Sequence, residues 1–228
     1  MASSSSNREA SVFTLASDYL KSPEELPSLY VTFIVGTKDI QQPFRLQRSV
    51  VCTISPVLNE IFKDFTEILR IEDVEKEVFE YLSVWVTTGQ HQSVHDESRK
   101  LLGGRAAPVG FPAPVTLVKV WRLGERFRIP EFQNNTMRLL YAVLDITASQ
   151  NTIISVVEFA WHDREPDMLK SLFVNKFAYC WWSGYVRELL PHLPSTMVFA
   201  IVDQLKRGGE AKRDIRDLRK SVEAFFVK

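Results

Sequence analysis

Apolar residues along the chain change their period several times, and each change marks an element. Val31-Thr32-Phe33-Ile34-Val35 is β-branched and aromatic and stops at Gly36, which predicts a strand. Thr37-Lys38-Asp39 predicts a turn into a second short strand around Phe44 and Leu46, so the two make a hairpin. From Gln47 the spacing becomes three and four, through Val50, Val51, Ile54, Val57, Leu58, Ile61 and Phe62. An interior proline removes a backbone donor, so Pro56 divides this run into two helices. Ser55 caps the second, and Pro56 takes its first position. Ile68 to Ile71 reads as a brief extended segment. Asp73 is then placed to cap a helix whose first turn carries Glu75 and Glu77 against the positive end of the dipole. Its apolar stripe is Val78, Tyr81, Leu82 and Trp85, and Gly89 ends it.

The pattern breaks between residues 90 and 114, where glycine, proline and serine replace the stripe, and this stretch is expected to be a flexible insertion. Helical spacing resumes with Leu117, Val120, Trp121 and Phe127, and Gly124 permits a close neighbour. Pro130 opens another helix with Phe132, Leu139, Leu140 and Val143 on one face. Everything beyond reads as helical. The stripes are Ile153, Val156, Val157 and Ala160; then Leu169, Leu172, Phe173 and Cys180; then Val198, Ile201, Val202 and Leu205 after Pro194-Ser195. Gly208-Gly209 is expected to separate the last of these from a short amphipathic tail of Ile215, Leu218, Val222, Phe225 and Phe226. Upstream of the hairpin, residues 1–10 are serine-rich, and a short apolar pattern runs from Val12 to Leu20 before Pro23 and Pro27.

Composition narrows the class. The 228 residues carry 28 Lys plus Arg and 28 Asp plus Glu, so a formally neutral chain lacks the basic field that phosphate backbones and anionic membranes attract. Neither nucleic acid nor membrane is expected as a partner. Two cysteines, Cys52 and Cys180, make no disulfide framework and no four-cysteine zinc module. Each lies in an apolar run and reads as a buried thiol. No apolar stretch approaches the ~20 residues that span a bilayer. The expectation is a soluble protein of the cytoplasm or nucleus.

Chemistry is thinly represented. His91 and His95 have the i, i+4 spacing of two zinc ligands but lack the other two and fall in the insertion. Trp161-His162-Asp163 sets a histidine beside an acid without a nucleophile, which suits a helix end better than a catalytic pair. Gly103-Gly104-Arg105 has neither the spacing nor the preceding strand of a phosphate loop. Trp181 and Trp182 beside Cys180 read as aromatic core rather than a ligand platform. Residues 206–220 are rich in Lys and Arg and read as a solvated helix. No catalytic residue, cofactor or metal is expected.

Three motifs in order carry a family resemblance. The first is Phe44-Arg45-Leu46-Gln47-Arg48 followed by the apolar run to Ser55-Pro56-Val57-Leu58. The second is the helix Val78 to Gly89, with its aromatic Trp85. The third is Leu117 to Leu140, with Ile129-Pro130-Glu131-Phe132 at a helix junction. Together they resemble the BTB/POZ domain, in the form of stand-alone fungal members with a helical C-terminal region. Gln47 stands where the family usually has histidine, and Tyr30 where many members have aspartate.

The resemblance implies an α+β fold: a BTB/POZ-like domain over residues 29–146, a small β-sheet capped by helices with the 90–114 insertion inside it. Residues 1–27 precede it as a tail with a short amphipathic segment, and 147–228 follow as an all-helical region. It also implies a protein-binding module without catalysis, acting by self-association as a homodimer, by partner recruitment, or both. A substrate adaptor of a cullin-type ubiquitin ligase is the alternative within binding proteins. An enzyme with a dispersed active site is the alternative from another class. Dimeric members associate through the segment before the first strand and the helix after the hairpin. Those positions here are Phe13, Leu15, Leu20 and Leu29, with Arg48 as the basic residue of the family's charged pocket.

Overall fold

A computed structural model of the chain describes residues 29–37, 40–64, 66–88, 113–147, 149–162, 167–180, 183–210 and 222–228. It is a mixed α+β protein. Strand β1 (Tyr30–Val35) pairs antiparallel with β2 (Gln42–Gln47) and parallel with β3 (Ile68–Ile71), giving the sheet order β2-β1-β3. The parallel pairing requires a crossover, supplied by α1 (Arg48–Ile54) and α2 (Pro56–Ile61). The hairpin closes at Gly36, whose φ is 110°, a conformation costly for any residue with a Cβ. A Cβ there would stand 2.2 Å from the carbonyl oxygen of Ile40.

The remaining elements among the described residues are helical. They are α3 (Lys76–Thr88), α4 (Pro114–Arg126), α5 (Pro130–Thr147), α6 (Gln150–Ala160), α7 (Met168–Asn175), α8 (Ser183–Leu189) and α9 (Ser195–Glu210). A π-helical turn, Lys176–Cys180, follows α7, and a short 3-10 turn, Val222–Phe225, packs against α5 and α7. Ser55 caps α2 as the sequence predicts, its Oγ accepting from the backbone N–H of Leu58 at 3.0 Å with Pro56 just inside the helix. Asp73 does not cap α3. The helix starts at Lys76, and the Asp73 carboxylate is drawn instead to Arg126 on α4.

Two apolar cores meet along α4 and the start of α5, whose Phe132 belongs to the first core and Leu140 to the second. The first collects Val31, Phe33, Val35, Phe44 and Leu46 from the hairpin, Val51, Leu58, Phe62 and Ile71 from the crossover and β3, and Phe79, Leu82 and Trp85 from α3. Phe33 meets Phe62 edge-on at 5.6 Å and Phe79 in a tilted arrangement at 5.0 Å, contacts each worth about 0.5–1.5 kcal/mol beyond area burial. The second core collects α5 to α9 around Leu140, Val156, Leu172, Phe173 and Met197. Helix α4 contributes Val120 and Leu123 to the first and Leu117, Val118 and Trp121 to the second. It is buried on opposite faces. Residues 117–144, placed by the sequence reading within the 29–146 unit, therefore divide between both cores.

Helix α9 turns a different face inward than its stripe suggests. Met197 and Ile201 are buried, whereas Val202 and Leu205 are exposed together with Phe199. Its inner face carries the backbone carbonyl of Gln204, which accepts the Tyr179 hydroxyl at 2.5 Å. The helix also runs through Gly208-Gly209 rather than ending there. Cys52 is a free thiol and only half-buried, at the edge of the first core. The side chain of Cys180, Trp181, Trp182 and residues 211–221 lie outside the described residues.

Candidate interaction surface

The sheet buries one face and opens the other. Period-two alternation turns Val31, Phe33 and Val35 into the core and leaves Tyr30, Thr32 and Ile34 on the opposite side. The registers set Gln47 beside Tyr30, Arg45 and Ile68 beside Thr32, and Pro43 and Arg70 beside Ile34. The outer face is thus apolar and basic. Tyr30 is 47% exposed and Ile68 53% exposed, and the guanidinium of Arg45 lies 5.2 Å from the centre of the Tyr30 ring. Such a stack contributes about 0.5–1 kcal/mol at an exposed site.

Two of the expected site residues meet at the open end of the hairpin. The backbone N–H of Arg48 donates to the carbonyl of Leu29 at 2.9 Å, tying the chain just before β1 to the first residue of α1. The Leu29 side chain is 76% exposed. Arg48 faces inward. Its Nη2 donates to the backbone carbonyl of Phe62 at the end of α2, where a cation meets the negative pole of the helix dipole. Its Nη1 is buried with no hydrogen-bond partner. Phe13, Leu15 and Leu20 lie outside the described residues.

The sequence reading named Leu29 and Arg48 but not Arg45, Ile68 or Arg70, which share the outer face. The signal was the alternation itself. Once Val31, Phe33, Phe44 and Leu46 are assigned inward, their neighbours must point out. A second polar feature lies on the other side of the first core. Asp73, Glu75, Lys119, Arg122 and Arg126 line a groove of about 360 Å³ with Phe159 at its rim. Glu75 pairs with Lys119 and Asp73 with Arg126. Arg126 holds the Asp73 carboxyl below its ordinary value through the hydrogen bond it donates.

Among the described residues, no group of three or more His, Cys, Asp or Glu side chains is placed to hold a metal ion. His162 follows the end of α6 at its cap residue Trp161, and His192 sits in an exposed 3-10 turn. His91, His95, Asp163 and Gly103-Gly104-Arg105 lie outside the described residues. No described helix is long and apolar enough to cross a membrane. In comparisons with known proteins, no family model matches the chain and no curated protein matches it.

Proposed function

We propose that this chain is a non-catalytic protein-interaction module of the BTB/POZ type, working in the cytoplasm or nucleus and self-associating through the open end of its hairpin. The observation that carries the reading is Leu29, an aliphatic side chain 76% exposed and fixed beside α1 by the Arg48–Leu29 backbone bond. An exposed leucine alone is ordinary. Here it precedes Tyr30, which with Arg45 and Ile68 stands on the sheet face turned away from the first core. A hairpin, a two-helix crossover and a parallel third strand also agree with the element order that the three motifs imply.

The mechanism is surface burial. Apolar area leaves water at about 25 cal/mol per Å², and Arg45 and Arg70 give the surface a basic rim. Residues 1–28 precede Leu29 in the sequence and hold Phe13, Leu15 and Leu20, the further apolar positions a dimer contact would use.

Light scattering over a concentration series tests this. The full chain is expected to rise from 26.2 kDa towards twice that mass. Leu29→Asp combined with Tyr30→Asp is expected to hold it at the monomer mass. A constant monomer mass for the full chain at all concentrations overturns self-association through this surface.

A further inference from the structure

The segment Val222–Lys228 is held in the manner of a bound peptide. Asn134 on α5 makes both hydrogen bonds that one peptide unit offers. Its Nδ2 donates to the Val227 carbonyl at 3.0 Å, and its Oδ1 accepts from the Val227 N–H at 2.7 Å. This pair reads main chain, so it fixes register without selecting a side chain. Selection comes from the neighbours. Phe225 is buried in the second core, and the Arg138 guanidinium lies 4.2 Å from the centre of the Phe226 ring.

Beside Val227 and Lys228 lies a cavity of about 690 Å³, lined in part by Pro130 and Gln133 of α5, Met168 and Ser171 of α7, and the charged Arg128 and Asp167. An incoming segment can therefore engage there before the resident one leaves. Residues 211–221 separate the segment from α9, a length of chain whose reach is at most roughly 36 Å.

We propose that the groove between α5 and α7 is a peptide-recognition site. Its own segment Val222–Lys228 fills it in cis, and the same segment of a second copy of this chain fills it in trans. The recognised pattern is two aromatic residues followed by an apolar one whose backbone meets Asn134. The resident segment belongs to the same chain as the groove, so the cis form dominates in dilute solution. Exchange between copies is the low-cost route to dimers that swapping of an identical element provides.

The probe is a labelled peptide of residues 222–228 with an amidated end, titrated into the full chain. The wild-type chain is expected to bind it weakly, because its own segment competes. Phe225→Ala loosens that segment and leaves the groove intact, so the variant is expected to bind at least about 10-fold tighter. Adding Asn134→Ala is expected to return the affinity about 10-fold, as two lost hydrogen bonds would. The peptide lacks residues 1–210, so this result is independent of any association through the hairpin. Equal binding by wild type and Phe225→Ala, or no effect of Asn134→Ala, overturns the proposal. Should Phe225→Ala fail to fold, amide hydrogen exchange on the wild-type chain decides. Excess peptide must then speed exchange at Phe226 and Val227 and leave β1 unchanged. Unchanged exchange at Phe226 and Val227 overturns the proposal.

Discussion

Ser55 donates its hydroxyl to the carbonyl oxygen of Phe127 across 2.5 Å, linking positions 72 residues apart. Ser55 Oγ also accepts from the Leu58 N–H, so one fully buried side chain both starts α2 and fastens it to the end of α4. Removing it leaves two buried backbone groups without that partner. Ser55→Ala is expected to cost about 1–3 kcal/mol, above the ~1 kcal/mol of an ordinary lost cap. Urea unfolding measures this, and a loss under about 0.5 kcal/mol would show that neither bond matters.

What could be read from the sequence was what depends on neighbours along the chain. The β-branched run of β1, the division at Pro56, the cap at Ser55 and the α4–α5 junction at Ile129-Pro130 all rest on local rules, and all are present. What could not be read depends on partners far away. Asp73 looked like a cap because its partner Arg126 is 53 residues distant. Helix α9 carries apolar residues around most of its circumference, so periodicity placed Ile201 inward but could not say that Met197, rather than Val202 and Leu205, completes the inner face. The inward turn of Arg48 was hidden for the same reason, since its acceptor is a backbone carbonyl. Of the expected interaction residues, only Leu29 and Arg48 fall among those described. They are brought together because the hairpin register sets Tyr30 opposite Gln47.

Gly124 bears out the close approach that its position in α4 suggested. A Cβ there would stand 2.7 Å from Cγ of Gln133 and 3.1 Å from the Phe132 ring, both on α5. Alanine improves helix propensity by about 1 kcal/mol, and that gain works against the clash. Valine adds bulk without the propensity gain. Gly124→Val is therefore expected to destabilise by about 1–3 kcal/mol, and by more than Gly124→Ala. Thermal unfolding of the pair checks the order. Equal melting temperatures would mean that the α4–α5 contact yields freely.

The Arg126–Asp73 pair predicts a small pH effect with a definite sign. Arg126 Nη1 donates to both carboxylate oxygens at 2.8 Å, and this hydrogen bond lowers the Asp73 pKa. A depressed folded pKa means the contribution is present above about pH 4 and is lost as pH falls through the folded value. Both side chains are well exposed, at 47% and 71%, so the size is screened to about 0.2–0.5 kcal/mol. Asp73→Asn should lower stability by that much at pH 7 in low salt, with the difference shrinking in molar salt and at pH 3. A difference that persisted in molar salt would locate the effect in packing rather than charge.

Arg122 provides the contrasting case, because its acid is sheltered. Its Nη2 lies 2.7 Å from Asp167 Oδ2, with the two side chains only 21% and 10% exposed. Asp167 Oδ2 has no aligned hydrogen bond, so this contact is a charge pairing; the other oxygen, Oδ1, accepts from the Lys170 N–H and caps α7. The same guanidinium reaches Glu125 at 2.9 Å and the carbonyl of Ala160, the last residue of α6, at 3.4 Å. One side chain on the shared helix α4 thus touches the end of α6 and the start of α7. Replacing it with methionine keeps the aliphatic stem but leaves the Asp167 carboxylate sheltered without its cation. Arg122→Met is expected to cost about 1–3 kcal/mol, and much of that should return when Asp167→Asn removes the stranded charge. A double-mutant cycle should give a coupling energy above about 1 kcal/mol here, against no more than about 0.5 kcal/mol for Arg126–Asp73. Lysine at position 122 should not restore it, since a single ammonium cannot reach three acceptors in the plane of a guanidinium. Equal coupling in the two pairs would mean that solvent screens Asp167 as freely as it does Asp73.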